Sequence, residues 1–212
     1  MRIEEHTVRF AGEAGDIETI VEDPGTPRGI ALVCHPHPLF GGANTNKVAQ
    51  TLARTFTRLG YVALRPNFRG VGGSAGTHAD GRGEAVDMLA VLDAARQTYG
   101  DLPVVLAGFS FGAYVQTRVA QALAAAGQPA QRLVLVGTAA GFVEGARQYD
   151  VQAVAADTIV IHGAVDTTVP LANVLAWAEP LDLPVVVVPG ADHFFHRRLH
   201  VIRDIVTRAW RH

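Results

Sequence analysis

The chain has one cysteine, Cys34, among 212 residues, which excludes an internal disulfide framework. No apolar run approaches the roughly 20 residues that a membrane-spanning helix needs. The first ten residues, MRIEEHTVRF, lack the apolar centre of a secretory leader. Neither sign of charge dominates: 18 Lys and Arg face 20 Asp and Glu, for a net charge of −2, and no basic stripe stands out. Nucleic acid is therefore excluded as an expected partner. Internal repeats, low-complexity tracts and linkers are also missing. Together these absences predict a soluble, cytoplasmic protein with no nucleic-acid or membrane partner, as a monomer or small homo-oligomer. What the chain does have is 49% hydrophobic and 18% charged residues, a globular composition. One domain over residues 1–212 is expected, since a chain of this size can bury about 70% of its unfolded surface without staples.

Short apolar runs recur, each followed by a turn and a helical pattern. The strand candidates are Ile30–Cys34, Tyr61–Arg65, Val104–Ala107, Leu133–Val136, Thr158–Ile161 and Val185–Val188. Most are rich in β-branched residues and nearly continuous in apolar character, the mark of strands covered on both faces in a parallel sheet. Helical patterns lie at Lys47–Leu59, Glu84–Tyr99, Phe111–Ala126, Leu171–Ala178 and from about Arg197 to Trp210. The stretch HTVRFAGEAGDIETIVED alternates and has glycine turns, so it reads as an antiparallel hairpin. The predicted fold class is α/β: a doubly wound, mostly parallel sheet of about seven or eight strands with that N-terminal hairpin. Reactive groups in such sheets gather at the carboxyl ends of the strands.

At one strand end stands Gly108-Phe109-Ser110-Phe111-Gly112, between the run VVLA and the helix AYVQTRVA. This is a G-x-S-x-G turn in the strand–turn–helix context that a nucleophile elbow requires. A sharp turn lifts the serine hydroxyl clear of the sheet, and the flanking glycines relieve the crowding. The bland alternative is a Gly-Ser turn that only caps a helix. A nucleophilic serine needs a base and an orienting acid, and here acid then histidine should follow in the chain. Asp166 lies in the loop after the run TIVI, and His193 in the loop after VVVV. Ser110, Asp166 and His193 are thus the catalytic candidates. Asp192 would have to fold back on its neighbour, and Asp182 precedes its strand.

After Cys34 comes His35-Pro36-His37-Pro38-Leu39-Phe40-Gly41-Gly42. In a hydrolase of this design the loop gives one backbone N–H to the oxyanion, and Phe111 gives the other. Pro36 and Pro38 have no N–H, so Leu39 is the first choice and His37 the reserve. His35, His37, His193, His196 and His200 also suggest a zinc set, but the first pair lacks the acidic and histidine followers of a binuclear site. No metal or other cofactor is expected. Arg69-Gly70-Val71-Gly72-Gly73-Ser74 meets neither dinucleotide nor P-loop spacing and reads as a tight turn. Cys34 reads as a small core residue.

G-F-S-F-G, H-G-A-V-D-T-T-V-P and G-A-D-H-F-F-H, with H-P-H-P-L-F-G-G upstream, resemble the α/β-hydrolase superfamily over nearly the whole chain. More narrowly they resemble small bacterial esterase-like members related to dienelactone hydrolases and S15-type peptidases. The resemblance implies a triad of Ser110, Asp166 and His193 and an oxyanion hole at Leu39 and Phe111. One departure stands out: where the superfamily often has D-x-R-G-x-G-x-S, this chain has Asn67 in the acid's place. Lids usually enter after the sixth strand, and the interval from Val136 to Thr158 leaves room for a short helix or loop but no cap domain. An open cleft follows, with His37, Phe40, Phe109, Phe142 and Phe194 as pocket candidates. The expected activity is serine hydrolysis of small carboxylic esters or thioesters through an acyl-enzyme. The alternatives are an amide-cleaving peptidase on the same residues and a non-enzymatic protein binding a ligand or partner on this scaffold.

Overall fold

The structure is a computed structural model that describes residues 3–143 and 147–210. It opens with the hairpin: β1 (Glu4–Gly12) pairs antiparallel with β2 (Gly15–Asp23) in register from Glu4 opposite Asp23 to Gly12 opposite Gly15. The chain then alternates β3 (Gly29–Cys34), α1 (Lys47–Arg58), β4 (Tyr61–Pro66), α2 (Arg82–Tyr99), β5 (Val104–Phe109), α3 (Phe111–Ala125) and β6 (Arg132–Val136). After β6 come β7 (Gly141–Val143), β8 (Arg147–Tyr149), β9 (Ile159–Gly163), α4 (Leu171–Ala178), β10 (Val185–Val188) and α5 (Leu199–Ala209). The main sheet has eight strands in the order β1-β2-β4-β3-β5-β6-β9-β10, antiparallel through β1, β2 and β4 and parallel from β4 to β10.

The apolar runs are continuous because both faces are covered. Every residue of β3, β4 and β5 is buried. Alternate side chains of β3 go to opposite cores: Ile30, Leu32 and Cys34 pack with Met88, Val91 and Leu92 of α2 and Val115 and Val119 of α3. Ala31 and Val33 pack with Leu52 and Phe56 of α1 and Ile202 and Val206 of α5. Each fully buried aliphatic side chain contributes about 1.5–3 kcal/mol of transfer free energy, so the period-2 alternation fixes which face each helix covers. The two edge strands are the exceptions to two-sided cover: β1 is largely exposed, and β10 leaves Val186 and Val187 exposed.

The strand order reverses between β3, which leads to β4 on one side, and β5 on the other. A crevice opens outside the carboxyl ends at such a switch point. The loop after β3 and the turn after β5 both emerge there. Element ends moved slightly from the sequence expectation: β5 runs on to Phe109 and β9 to Gly163. Among the described residues the interval after β6 holds no helix, and its loop is interrupted by two short strands. It folds into an antiparallel ribbon, β7 with β8, in which Phe142 faces Gln148. Gly141, at φ 61°, starts the ribbon, and Val143 and Tyr149 anchor it in the core beside Tyr114. Among the described residues, no helix is long and apolar enough to cross a membrane.

Candidate active site

Ser110 is the only residue between β5 and α3, and its backbone sits at φ 56°, ψ −118°. That region costs a non-glycine residue on the order of 1–3 kcal/mol and persists only where the surroundings enforce it. Here the Ser110 N–H donates to Val136 O at 2.9 Å, while its carbonyl accepts from the N–H groups of Tyr114 and Ala139, each at 3.2 Å. A Cβ on Gly108 would lie 2.4 Å from Gly112 O, and one on Gly112 would lie 2.4 Å from His35 O and 2.5 Å from Cys34 O. Both glycines are therefore required by close backbone approach.

Asp166 follows β9 by three residues, and His193 follows β10 by five. Asp166 Oδ1 accepts from the N–H groups of Thr168 at 2.9 Å and Val169 at 2.8 Å, which orients the carboxylate. Its Oδ2 lies 2.7 Å from His193 Nδ1, and His193 Nε2 lies 3.0 Å from Ser110 Oγ. With Asp166 accepting at Nδ1–H, the Nε2 lone pair faces the hydroxyl, the tautomer a general base needs. All three side chains are buried, and the imidazole packs on Phe109 at 4.9 Å and Phe194 at 5.1 Å between ring centroids.

A cavity of about 350 Å³ opens over Ser110 and His193. Pro36, His37 and Phe40 wall it from the loop after β3, and Val143, Arg147 and Tyr149 from the ribbon. The loop carries a short 3₁₀ turn, Pro38–Phe40, ended by Gly41 at φ 78°. His37 caps that turn: its Nδ1 accepts from Leu39 N–H at 3.3 Å, and its carbonyl accepts from Phe40 and Gly42. Burial and the neighbouring His78 and Arg147 push the His37 imidazole down to about 4, so the ring is neutral at physiological pH. The His35 ring behind it is also held down to about 4, chiefly by burial. Its Nδ1 donates to Pro36 O at 2.7 Å, and its Nε2 accepts from Phe68 N–H at 2.9 Å. Both His35 nitrogens are thus committed to the backbone.

A family model described as alpha/beta hydrolase fold matches residues 32–198. The chain belongs to the α/β-hydrolase fold family. A lidless α/β serine hydrolase of Xanthomonas campestris is similar at 35% identity and a TM-score of 0.86, over 100% of this chain and 95% of that one. An α/β serine hydrolase homologue of Coxiella burnetii matches at 35% identity and a TM-score of 0.80, over 98% and 97%. The fold alone is shared with the Butyrivibrio proteoclasticus protein Est1E, whose structure holds ferulic acid: 16% identity, TM-score 0.78, over 95% and 96%. An uncharacterised protein of Rickettsia prowazekii is 43% identical over 110 residues, 51% of this chain and 46% of that protein. The matched stretch thus spans less than half the length of that relative.

Within this hydrolase fold, the structure brings Ser110, Asp166 and His193 together. Asp192 instead bonds His196, with Nδ1 at 2.6 Å, and Asp182 lies before β10. Phe111 lines the cavity at the first position of α3, where a helix leaves its amide without an intrahelical acceptor. Leu39 departs from expectation: its N–H is turned into its own cap, its side chain is 68% exposed, and it is not among the residues lining the cavity. His37 does line it, and its N–H has no acceptor among the described residues. Of the pocket candidates, His37, Phe40 and Phe194 line the cavity. Phe109 is fully buried beneath His193, on the sheet face that packs on α1 and α5, and Phe142 points outward at 62% exposure, so neither belongs to the wall.

Asn67, the departure from the superfamily pattern, links the loop after β3 to the N-terminal hairpin. Its Oδ1 accepts from Asn44 N–H at 2.8 Å, and its Nδ2 donates to Glu18 Oε1 at 2.7 Å. A carboxylate in its place would meet another carboxylate. The glycine-rich segment beside it is a turn, with Ser74 Oγ donating to Asn67 O and Arg69 gripping Asp87 through two hydrogen bonds of 2.8 Å. Sequence reasoning missed His162 and the ribbon. His162 is fully buried on β9, with Nε2 3.0 Å from Val169 O and 3.4 Å from Asp166 Oδ2. Burial lowers its basicity, so it stands as a neutral donor under the Asp166 loop. An i, i+4 pair at a strand end is the one signal that pointed to it.

Proposed function

We propose that this protein is a serine hydrolase that cleaves small carboxylic esters or thioesters through an acyl-enzyme. The observation that carries the reading is the unbroken chain Ser110 Oγ to His193 Nε2 at 3.0 Å and His193 Nδ1 to Asp166 Oδ2 at 2.7 Å. Ser110 Oγ attacks the carbonyl carbon as His193 takes its proton. The carbonyl oxygen becomes an oxyanion facing the Phe111 N–H, at the positive end of α3, and the His37 N–H. On collapse the C–O or C–S bond breaks and His193 returns its proton to the leaving group. Water then repeats the sequence on the acyl-enzyme and restores Ser110. Asp166 holds the imidazole in place and stabilises its charged form. A 350 Å³ cavity with apolar walls suits a short acyl or aryl group.

A fluorophosphonate probe tests the reading: it should label the wild type and leave Ser110→Ala unlabelled, with turnover of 4-nitrophenyl esters falling by on the order of 10⁶. Activity should peak at short acyl chains. Anilides cleaved as fast as matched esters would move the reaction to the peptidase class, and acyl binding without turnover would reduce the protein to a binding module.

A further inference from the structure

We propose that the substrate carries an anionic group, a carboxylate or a phosphate, seated beside Arg118 and Arg82 in a second cavity that adjoins the reacting serine. The inference rests on the esterase reading for the reaction and adds the substrate's charge. The second cavity, about 510 Å³, shares His37, Phe40, Phe111, Arg147 and Tyr149 with the first. The two cavities therefore adjoin along these shared residues.

α3 sets the arrangement. Starting from Ser110, Phe111, Tyr114 and Arg118 follow at helical spacing along one face. Phe111 lines both cavities, and Tyr114 and Arg118 line the second. Arg118 is held rigidly: its Nη2 donates to the Tyr114 hydroxyl, and its guanidinium lies over the Tyr114 ring at 4.9 Å. Among the described residues no carboxylate pairs with it, and its buried Nε–H has no acceptor. Arg82, exposed at the first position of α2, also lines this cavity without a carboxylate partner among the described residues. Two carboxylates share the cavity, Asp80, 3.3 Å from His78 Nε2, and Asp150, which accepts from Gln148 at 3.4 Å; against them stand three guanidinium groups, Arg82, Arg118 and Arg147. Buried donors in proteins are nearly always satisfied. A guanidinium fixed by an aromatic stack, with no carboxylate paired to it among the described residues, is preorganised for a planar or tetrahedral oxyanion.

Two ester pairs test this. 4-Nitrophenyl hydrogen glutarate against 4-nitrophenyl methyl glutarate places the charge on the acyl side. 4-Acetoxybenzoate against its methyl ester places it on the leaving group. The readout is the ratio of kcat/KM for the anionic ester to that for its neutral partner, in wild type, Arg118→Gln, Arg118→Lys and Arg82→Gln. Fluorophosphonate labelling of Ser110 is followed in each. In one pair the ratio should fall about tenfold in Arg118→Gln, which removes the charge-assisted hydrogen bond, and less in Arg118→Lys, which keeps the charge without the planar fork. The pair that responds identifies the side that enters the second cavity. Arg82→Gln should lower the same ratio about threefold, and being exposed it decides the question if Arg118→Gln fails to fold. Ratios unchanged to within about twofold in every folded variant, with labelling intact, overturn the inference and leave the esterase reading standing. Loss of labelling in the wild type overturns the esterase reading itself.

Discussion

Replacing Asn67 by aspartate should cost the fold about 2–4 kcal/mol at neutral pH, and the size follows from two distances. Asn67 is buried, and its Nδ2 lies 2.7 Å from Glu18 Oε1. Two unit charges at that separation repel by about 6 kcal/mol at an effective dielectric of 20. The pair escapes by taking up one proton, which at pH 7 costs a carboxyl of ordinary affinity about 4 kcal/mol, so that figure is the ceiling. The other oxygen of the introduced carboxylate would still accept from Asn44 N–H, now 2.8 Å from Asn67 Oδ1. The shared proton binds more tightly in the folded variant than in the unfolded chain, so the variant regains stability as pH falls. At pH 5 the ceiling is about 1 kcal/mol. Thermal melts against wild type should show a deficit of roughly 6–12 °C at pH 7, mostly recovered at pH 5. A variant as stable as wild type at pH 7, or a deficit unchanged at pH 5, would refute the reasoning.

Three further outcomes are expected. Asp166→Asn keeps an acceptor for the Thr168 and Val169 amides, so its melting temperature should stay close to wild type while ester turnover falls about 10⁴-fold; turnover within tenfold of wild type would remove Asp166 from the mechanism. Gly112→Ala drives a methyl group to 2.4 Å from His35 O and should destabilise by about 2–4 kcal/mol in denaturant titration, whereas a loss under about 0.5 kcal/mol would show that the approach is not tight. His35 has a folded pKa of about 4 against 6.5 for the free side chain, so the unfolded chain binds the extra proton first. That contribution is complete above about pH 6.5 and is lost as pH falls toward 4, by about 3 kcal/mol. His35→Gln should flatten this part of the stability profile, and an unchanged slope would count against a neutral His35.

The sheet was readable because its strands are buried on both faces, so continuous apolar runs such as IALVC mark them with little ambiguity. The convergence of Ser110, Asp166 and His193 was readable because each sits just past a strand, and strand ends share one rim. The loop after β3 was only half readable. Sequence shows which residues have an N–H, but the direction of the Leu39 amide depends on the 3₁₀ turn and on Gly41 in the left-handed region. Phe109 was misplaced for a related reason: β5 runs two residues further than its apolar core, which turns the ring onto the α1 and α5 face. The ribbon left almost no trace, because three-residue strands carry too little alternation to detect. The second cavity could not be foreseen, since Arg82, Arg118 and Arg147 reach it from α2, α3 and β8.

The ribbon β7–β8 shares no hydrogen-bonded ladder with the main sheet, yet it contributes Val143, Arg147 and Tyr149 to the cavity over Ser110. One side of that cavity thus stands outside the framework that holds Ser110, Asp166 and His193, while Pro36, His37, Phe40 and Phe194 close the other side from within it. Substitutions in the ribbon would therefore reshape one side of the cavity without touching the strands and turns beneath it.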